Sequence, residues 1–323
     1  MVLRPKNNDL VANCYLKFGS LILKAKFKRQ VFYRGLVFLE GFILLLGYVI
    51  IILMFDSFLH KNMRVPYRLH ATKMRSSDNP EAVVVFIHGI ASNAAMWKKA
   101  ESEIEGEFDI YAVDLIGHGK SPKPKWLGAQ SLAVQARAVR RMVFVMKKYK
   151  KPLFLVGHSM GSLVAAEFSK MYPNLVDKIF LLSPPIYSPE EARGSVQEFI
   201  LKKSYQKIVS DPKESIKFVN TAIGMGVADV EKFDSQEQFR PVRRSLKEAI
   251  IQQDTFAVLS KTETPTKIIY GAFDPVVIGR NIRKLGRIND KIKVSRVLSA
   301  HDPTKSMISQ VSKDINKALK EQK

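Results

Sequence analysis

The chain has very little cysteine and no cluster of metal-ligating residues in its sequence. Cys14 is the only cysteine among 323 residues, so no disulfide can form within the chain. The six histidines are scattered, and neither zinc-type ligand spacing nor a glycine-rich phosphate-binding loop occurs. We therefore expect neither a metal nor an organic cofactor.

Acidic residues are also few for a chain with so many basic ones. Lys and Arg number 52 against 30 Asp and Glu, which gives a formal net charge of +22. The basic residues are spread along the chain and no nucleic-acid-binding module accompanies them, so we do not expect a nucleic-acid partner. Two interpretations of the charge remain open: attraction to anionic membrane lipids, or a lysine-rich source proteome with no specific partner.

Only one apolar run approaches the length of a membrane span. Residues 35–55 are apolar apart from Glu40, and a span needs about 20 residues. Basic residues flank the run on both sides, so charge does not fix its orientation. We expect an uncleaved, single-pass N-terminal anchor. The alternatives are a cleaved signal and a segment that lies in the membrane interface.

The pattern of apolar runs predicts two parts. Residues 1–61 form a basic amphipathic segment with the anchor, and residues 62–323 form one α/β domain. Residues 184–264 are rich in helix formers and predict a helical cap inserted between two strands. Strands are predicted at residues 83–87, 108–114, 153–157, 178–183, 266–270 and 293–298, with one further strand within 65–74.

One short motif lies between an apolar strand and a helix-forming segment. The run 153–156 predicts a buried strand, and Gly157-His158-Ser159-Met160-Gly161 follows it directly. A serine on such a sharp turn needs small neighbours, because the backbone is strained and larger side chains would collide. The motif therefore favours Ser159 as a nucleophile.

A serine nucleophile needs a base and an acid that orients the base. His301 is the only histidine after Ser159, so it is the base if the chain order is serine, acid, histidine. The predicted strand 266–270 ends in a glycine turn that carries Asp274, which makes Asp274 the preferred acid. Asp302 is an alternative, but as the immediate neighbour of His301 it is poorly placed to orient the ring.

The oxyanion that forms during acyl transfer needs main-chain donors. The N–H of Met160 is one, because it follows the nucleophile at the start of a helix. The apolar run 83–87 opens into His88-Gly89-Ile90, and the N–H of Ile90 is the second.

Together these motifs resemble the α/β-hydrolase superfamily over residues 80 to 320. The resemblance implies a mostly parallel sheet flanked by helices, with Ser159, Asp274 and His301 as a catalytic triad. It also implies that Ile90 and Met160 are the oxyanion donors. Many members have glycine just before the histidine, where this chain has Ala300. The motifs are His88-Gly89, Asp114-Leu115-Ile116-Gly117-His118-Gly119-Lys120-Ser121, Gly157-His158-Ser159-Met160-Gly161, Gly271-Ala272-Phe273-Asp274 and His301.

The expected function is that of a membrane-anchored serine hydrolase acting on a carboxylic ester, lipid-derived if the anchor is present. Serine in the motif excludes the haloalkane dehalogenase and epoxide hydrolase branches, which carry aspartate there. Hydrolysis of a C–C bond in a diketone uses the same triad and stays open, as does a non-catalytic binding protein of this fold.

Other conspicuous residues have structural interpretations. We expect His88 and His118 to shape their loops rather than titrate, and the side chain of His158 to point away from the nucleophile. Trp97 and Trp126 are expected to pack in the core. The apolar candidates for lining a pocket under the cap are Phe199, Ile200, Phe218, Ile223, Met225 and Phe233.

Overall fold

The computed structural model describes residues 54–146, 151–188, 195–211 and 233–322, with isolated positions at 42–51 and 215–223. The chain divides into two units between Met63 and Arg64. The first unit ends in a π-helical turn, Phe58–Asn62. Among the described residues, no helix has the length and apolar character that a membrane crossing requires. Most of the predicted anchor, residues 35–55, lies outside the described residues.

A seven-stranded sheet forms the centre of the second unit. The strand order is β1-β3-β2-β4-β5-β6-β7, and only β1 is antiparallel to its neighbour. This confirms the mostly parallel sheet predicted from the sequence. The strands are β1 (Ala71–Arg75), β2 (Ala82–Ile87), β3 (Phe108–Val113), β4 (Leu153–His158), β5 (Lys178–Leu182), β6 (Thr266–Gly271) and β7 (Ile292–Val297).

Helices follow most of the strands, as the alternating pattern predicts. A 3₁₀ turn, Ala94–Trp97, leads into the first α-helix, and a second 3₁₀ turn, Pro173–Leu175, precedes β5. The α-helices are α1 (Lys98–Glu101), α2 (Leu132–Met146), α3 (Met160–Met171), α4 (Val196–Ser210), α5 (Gln236–Ser245), α6 (Thr255–Ser260), α7 (Gly279–Ile288) and α8 (Lys305–Gln322). A π-helical segment, Leu246–Ile251, continues α5, so most of the described residues between β5 and β6 are helical.

The two faces of the sheet are covered by two separate hydrophobic cores. All six residues of β2 are buried, as expected for a strand with helices on both sides. Val83 and Val85 pack into the core that contains residues of α2 and α3. Val84 and Phe86 pack into the core that contains Trp97 and residues of α8.

The register of the sheet places the ends of the central strands next to one another. Ile87 at the end of β2 pairs with Gly157 of β4, and His158 pairs with Leu182 of β5. Parallel strands present their carboxyl ends at one edge, which is where open α/β sheets bind ligands. The loops that carry the predicted site residues therefore leave the sheet side by side.

Candidate active site

Ser159 occupies a strained turn between β4 and α3. Its backbone has φ 50° and ψ −119°, a conformation that costs a non-glycine residue about 1–3 kcal/mol. Hydrogen bonds on both sides hold the turn: Ser159 N–H donates to the Leu182 carbonyl, and Ser162 N–H donates to the Ser159 carbonyl. These two hydrogen bonds therefore fix the backbone of Ser159 at the end of β4.

The two glycines of the motif are needed because backbone segments approach them closely. A Cβ at Gly157 would collide with the carbonyl of Gly161, and a Cβ at Gly161 would collide with the carbonyl of Ile87. The first contact holds the start of α3 close to β4, and the second holds it close to the end of β2. The sequence predicted that larger side chains would collide beside the serine, and the structure shows such collisions at both Gly157 and Gly161.

The structure brings Ser159, His301 and Asp274 into one hydrogen-bonded series. The distance from Ser159 Oγ to His301 Nε2 is 3.0 Å, and His301 Nδ1 lies 2.8 Å from Asp274 Oδ2. All three lie in loops at the carboxyl edge of the sheet. Ser159 is only 4% exposed, and the side chains of His301 and Asp274 are 12% and 0% exposed.

The carboxylate fixes the tautomer of His301. A carboxylate only accepts hydrogen bonds, so His301 Nδ1 carries a proton and Nε2 is free to accept from the serine hydroxyl. The other carboxylate oxygen of Asp274 accepts from the N–H groups of Val276 and Val277 at 2.9 and 3.2 Å. Burial would raise the pKa of Asp274, but the hydrogen bond and charge of His301 and the Val276 N–H outweigh it. The pKa lies below its ordinary value.

The loop before His301 reaches Ser159 although it has Ala300 where many related loops have glycine. The space comes from Gly271 at the end of β6, where a Cβ would collide with the carbonyls of Ser299 and Ala300. The Phe273 N–H donates to the Ser299 carbonyl at 3.0 Å and ties the two loops together. Asp274, not Asp302, is the residue that contacts His301 Nδ1.

His158 supports His301 in a way that the sequence analysis missed. His158 Nε2 donates to the His301 main-chain carbonyl at 2.9 Å. Burial lowers the pKa of His158 to about 3, and the neighbouring His301 contributes to the decrease. A neutral His158 with its proton on Nε2 therefore fixes the main chain of His301, the predicted base, through this hydrogen bond. No signal in the sequence could have shown this contact, because it depends on the path of the loop that carries His301 and not on a local pattern.

Each predicted oxyanion donor belongs to a segment that lies close to Ser159. Met160 is the first residue of α3 and follows Ser159 directly. A Cβ at Gly89 would lie 3.2 Å from the Ser159 Cβ, so the residue before Ile90 lies close to the serine. Ala91, the residue after Ile90, has φ 58°, a second strained position.

Two buried side chains hold this loop in place. Asp114 accepts from the N–H groups of Ala94 and Lys120 at 2.7 and 2.8 Å, which joins the loop after β2 to the loop after β3. His88 Nδ1 donates to the Gly89 carbonyl, and its Nε2 accepts from the Leu115 N–H at 2.9 Å. Burial lowers the pKa of His88 to about 4 and that of His118 to about 3, consistent with loop-shaping roles.

The insertion between β5 and β6 contributes both polar and apolar residues that are at least partly buried. Tyr205 of α4 is partly buried. Burial raises the pKa of Tyr205, and the charge of Asp274 adds to the rise. Phe233 packs against the core, whereas Phe199 and Ile200 are 61% and 57% exposed, and a pocket-lining role for them stays a prediction. Phe218 and Met225 lie outside the described residues, and Ile223 is partly buried.

The remaining predicted positions are structural, and the described part of the chain offers no metal centre. Trp97 is fully buried and stacks on Phe86, and the Trp126 indole donates to the Tyr67 hydroxyl at 2.8 Å. Both tryptophans therefore pack as predicted. Within the described residues, no group of three or more His, Cys, Asp or Glu side chains could hold a metal ion.

Comparison with known proteins identifies the fold. A family model described as alpha/beta hydrolase fold matches residues 82–214. An epoxide hydrolase from Bacillus megaterium is similar with a TM-score of 0.59 at 18% identity, covering 78% of this chain and 96% of that one. An esterase from Thermogutta terrifontis gives a TM-score of 0.58 at 18% identity, covering 78% and 93%. The chain has the α/β-hydrolase fold.

Relatives in sequence match over a limited segment. A probable lysophospholipase of Arabidopsis thaliana, BODYGUARD 4, is 31% identical over 145 residues, which is 44% of this chain and 34% of the relative. An uncharacterized protein of Mycobacterium tuberculosis, Rv2715, is 35% identical over 100 residues, which is 31% of this chain and 28% of the relative. The matched segments thus span well under half the length of either relative.

Proposed function

We propose that the chain is a serine hydrolase that cleaves a carboxylic ester through an acyl-enzyme on Ser159. The observation that carries the proposal is the hydrogen-bonded series of Ser159, His301 and Asp274, which begins at a serine on a strained turn. The similarity to a relative named a probable lysophospholipase supports a lipid-derived ester as the substrate.

In the first half of the reaction, Ser159 Oγ attacks the ester carbonyl carbon while His301 Nε2 takes the hydroxyl proton. The carbonyl oxygen gains negative charge and accepts from the N–H groups of Ile90 and Met160. Each such donor typically contributes about 3–4 kcal/mol to the stability of the transition state. The tetrahedral intermediate then expels the alcohol, which receives its proton from His301.

In the second half, water replaces the alcohol. His301 removes a proton from water as the water oxygen attacks the acyl carbon, and the bond to Ser159 Oγ breaks with return of that proton to the serine. The products are one carboxylic acid and one alcohol for each water consumed. Asp274 remains ionised throughout because its pKa is depressed, and it stabilises the imidazolium in both halves.

Turnover of an ester panel tests this proposal. We expect the full chain to hydrolyse acyl esters and Ser159→Ala to reduce kcat by roughly 10⁴-fold or more, because the nucleophile is lost. The matched control is Ser169→Ala in the same helix, whose buried hydroxyl bonds only to the Ala166 carbonyl.

A diketone is included in the panel to separate the alternatives. Turnover of the diketone with no turnover of any ester would replace the ester hydrolase by a C–C bond hydrolase. A folded chain that turns over neither would support a binding protein, and loss of ester turnover in Ser169→Ala equal to that in Ser159→Ala would remove the specific role of Ser159.

We also propose that residues 35–55 attach the chain to a membrane, a prediction that rests on their apolar sequence. The second unit offers support: a groove of about 760 Å³ is lined by Arg68, Lys120 and Arg141 and suits anionic lipid headgroups.

Carbonate extraction tests the attachment. We expect the full chain to stay with the membrane pellet and the double variant Leu45→Lys/Ile51→Lys to be released, because each charge opposes insertion by about 2.5–3.5 kcal/mol at a span centre. Leu127→Lys, at an exposed leucine of the second unit, is the matched control. Release of the unaltered chain by carbonate would contradict the attachment.

A further inference from the structure

The outer face of α2 carries exposed basic and apolar side chains and no acidic ones. The sequence of this helix contains no Asp or Glu, and its inner face packs into one of the two hydrophobic cores. Residues three or four apart lie on the same face of a helix, so Arg141 and Val145 are neighbours there, as are Arg140 and Phe144. All four are exposed, and the exposed fractions of Phe144 and Val145 are 77% and 73%.

The segment before β1 adds further basic groups beside this helix. Arg141 Nη1 donates to the Pro66 carbonyl at 2.9 Å, so the segment that carries Arg68 contacts α2. The groove of about 760 Å³ is lined by Arg68, Lys120 and Arg141 together, and its lining contains no carboxylate. We call the exposed region formed by Arg68, Lys120, Arg141, Phe144 and Val145 the basic–apolar surface.

The basic side chains of this surface lack a counter-ion within the described part of the chain. None of Arg68, Lys120 and Arg141 forms a salt bridge there. On the same helix, burial lowers the pKa of Arg137, and the charge of Arg64 adds to the decrease. Like charges on one surface repel one another, and an anionic partner would relieve that repulsion.

Two features favour a membrane over a small free anion as that partner. The exposed side chains of Phe144 and Val145 would be removed from water among lipids, which a free anion cannot offer, and basic residues next to such side chains are typical of interfacial contacts. Arg64, the first residue of the second unit, follows the proposed membrane segment 35–55 by nine positions. Nine residues extend at most about 30 Å, so a membrane that holds residues 35–55 is within reach of this unit.

We infer that the basic–apolar surface binds the surface of an anionic phospholipid bilayer. Arg68, Lys120 and Arg141 contact lipid phosphates. Phe144 and Val145 enter the boundary between the headgroups and the acyl chains. The second unit then has a membrane contact of its own, in addition to the proposed attachment through residues 35–55. This inference goes beyond ester hydrolysis and rests on the proposed attachment only for the choice of a membrane as partner.

The first test measures co-sedimentation of the full chain with lipid vesicles. The variant Leu45→Lys/Ile51→Lys serves as the background, so that attachment through residues 35–55 is weakened. We expect this background to bind vesicles of equal parts phosphatidylserine and phosphatidylcholine more tightly than pure phosphatidylcholine. Adding Arg68→Gln/Lys120→Gln/Arg141→Gln should weaken binding to the anionic vesicles by at least tenfold, because each basic side chain near such a surface strengthens binding by about fivefold.

The matched control removes the same charge from the opposite face of the sheet. Lys313→Gln/Lys317→Gln/Lys320→Gln changes three exposed lysines of α8, which packs into the other core. We expect less than a twofold change in binding from this variant. Equal weakening by the two triple variants would show non-specific charge attraction and overturn the inference. Unchanged binding in both would place the vesicle contact outside the basic–apolar surface and overturn it as well.

The second test shows which face meets the lipid, with a polarity-sensitive fluorophore on a single thiol in the same background. Cys14→Ser removes the only native cysteine, and Val145→Cys places the label at an exposed position of α2. We expect its emission to shift to the blue on addition of anionic vesicles, and the emission of a label at Lys313→Cys to stay unchanged. No shift at position 145, or an equal shift at position 313, would contradict the inference.

The vesicle and carbonate experiments separate this inference from the proposed attachment. Release of the unaltered chain by carbonate, together with vesicle binding that depends on Arg68, Lys120 and Arg141, would contradict attachment through residues 35–55 and support the basic–apolar surface. Retention of the unaltered chain, together with vesicle binding that does not depend on these three residues, would support the attachment and overturn the inference.

Discussion

At the scale of single residues, the chemistry depends on which nitrogen of His301 carries a proton. Asp274 holds the Nδ1 proton, and two main-chain N–H groups hold Asp274 in turn. Replacing the carboxylate by an amide of the same shape would allow the NH₂ group to donate to Nδ1, which would move the proton to Nε2. The base would then be protonated on the side that faces Ser159.

Asp274→Asn should therefore reduce kcat by roughly 10⁴-fold with little effect on folding, as expected when the wrong tautomer is imposed. Steady-state ester turnover measures the loss, and Asp302→Asn is the control at the neighbouring carboxylate that does not contact Nδ1 in the structure. Similar losses in the two variants would contradict the assignment of Asp274 as the orienting acid.

The sequence singled out Ser159, Asp274 and His301 because each follows a predicted strand, and the structure places them within hydrogen-bonding distance. Their catalytic roles stay a prediction. The contact of His158 with the His301 carbonyl was not predictable, because it depends on the path of a loop rather than on any local pattern. The sequence also did not show why Ala300 is accommodated before His301. The space for this loop comes from Gly271, at the end of β6.

At the scale of elements, the serine turn depends on close contact between the start of α3 and the end of β2. Gly161→Ala should push these elements apart, because its Cβ would meet two main-chain carbonyls that cannot rotate away. We expect at least a tenfold loss of ester turnover together with a loss of stability of about 1–3 kcal/mol, typical of overpacking.

Gly279→Ala is the matched control for this change. The Cβ there would lie 3.2 Å from Arg283 Nη1 and 3.2 Å from Tyr270 Cε2, both side-chain atoms, so a shift of a few tenths of an ångström suffices. Chemical denaturation and turnover of the two variants provide the comparison. Full activity in Gly161→Ala would contradict the close approach of α3 to β2.

A buried carboxylate of the insertion forms hydrogen bonds with the loop before α2. Glu248, in the π-helical segment, accepts from the N–H groups of Gly128 and Gln130 at 2.9 and 2.8 Å. In Glu248→Gln the amide NH₂ would face one of these donors. The free energy of unfolding should fall by about 1–3 kcal/mol, because a buried donor loses its acceptor.

Glu237→Gln serves as the control for Glu248→Gln, because Glu237 is an exposed carboxylate of α5 paired with Arg240. Its loss should change stability by less than about 1 kcal/mol, as is usual for surface ion pairs. Urea midpoints of the two variants distinguish loss of the buried Glu248 hydrogen bonds from a surface charge effect. Equal midpoints would contradict a stabilising role for the Glu248 hydrogen bonds.

The sequence predicted the strands to within a residue at most ends, because apolar runs bounded by turns mark buried strands. It placed the first strand within 65–74, whereas β1 is Ala71–Arg75 and pairs antiparallel with β3. The sequence did not determine which apolar residues of the insertion line a pocket. An amphipathic helix of a surface insertion does not reveal from its sequence which apolar residues face the core.

At the scale of the whole molecule, three buried neutral histidines make stability depend on pH. Burial lowers the pKa values of His88, His118 and His158 to about 4, 3 and 3. In the unfolded chain the same rings take up protons as the pH falls below about 6.5. Between these values the unfolded state binds more protons than the folded state, so the free energy of unfolding decreases as the pH falls.

Each histidine contributes about 1.4 kcal/mol per pH unit to this slope. His88→Gln should therefore make the decrease in unfolding free energy between pH 6 and pH 5 less steep by about that amount. Urea unfolding followed by tryptophan fluorescence measures it, because both tryptophans lie in the unit Arg64–Lys323. An unchanged slope would mean that His88 is protonated in the folded chain.

The central claim is that Ser159 is an activated nucleophile. The most direct measurement is labelling of the full chain with a fluorophosphonate and location of the adduct by mass spectrometry. The account predicts one adduct, on Ser159, that is lost in Ser159→Ala and in His301→Ala and retained in Ser169→Ala. A folded chain that stays unlabelled, or an adduct on another residue, would contradict it.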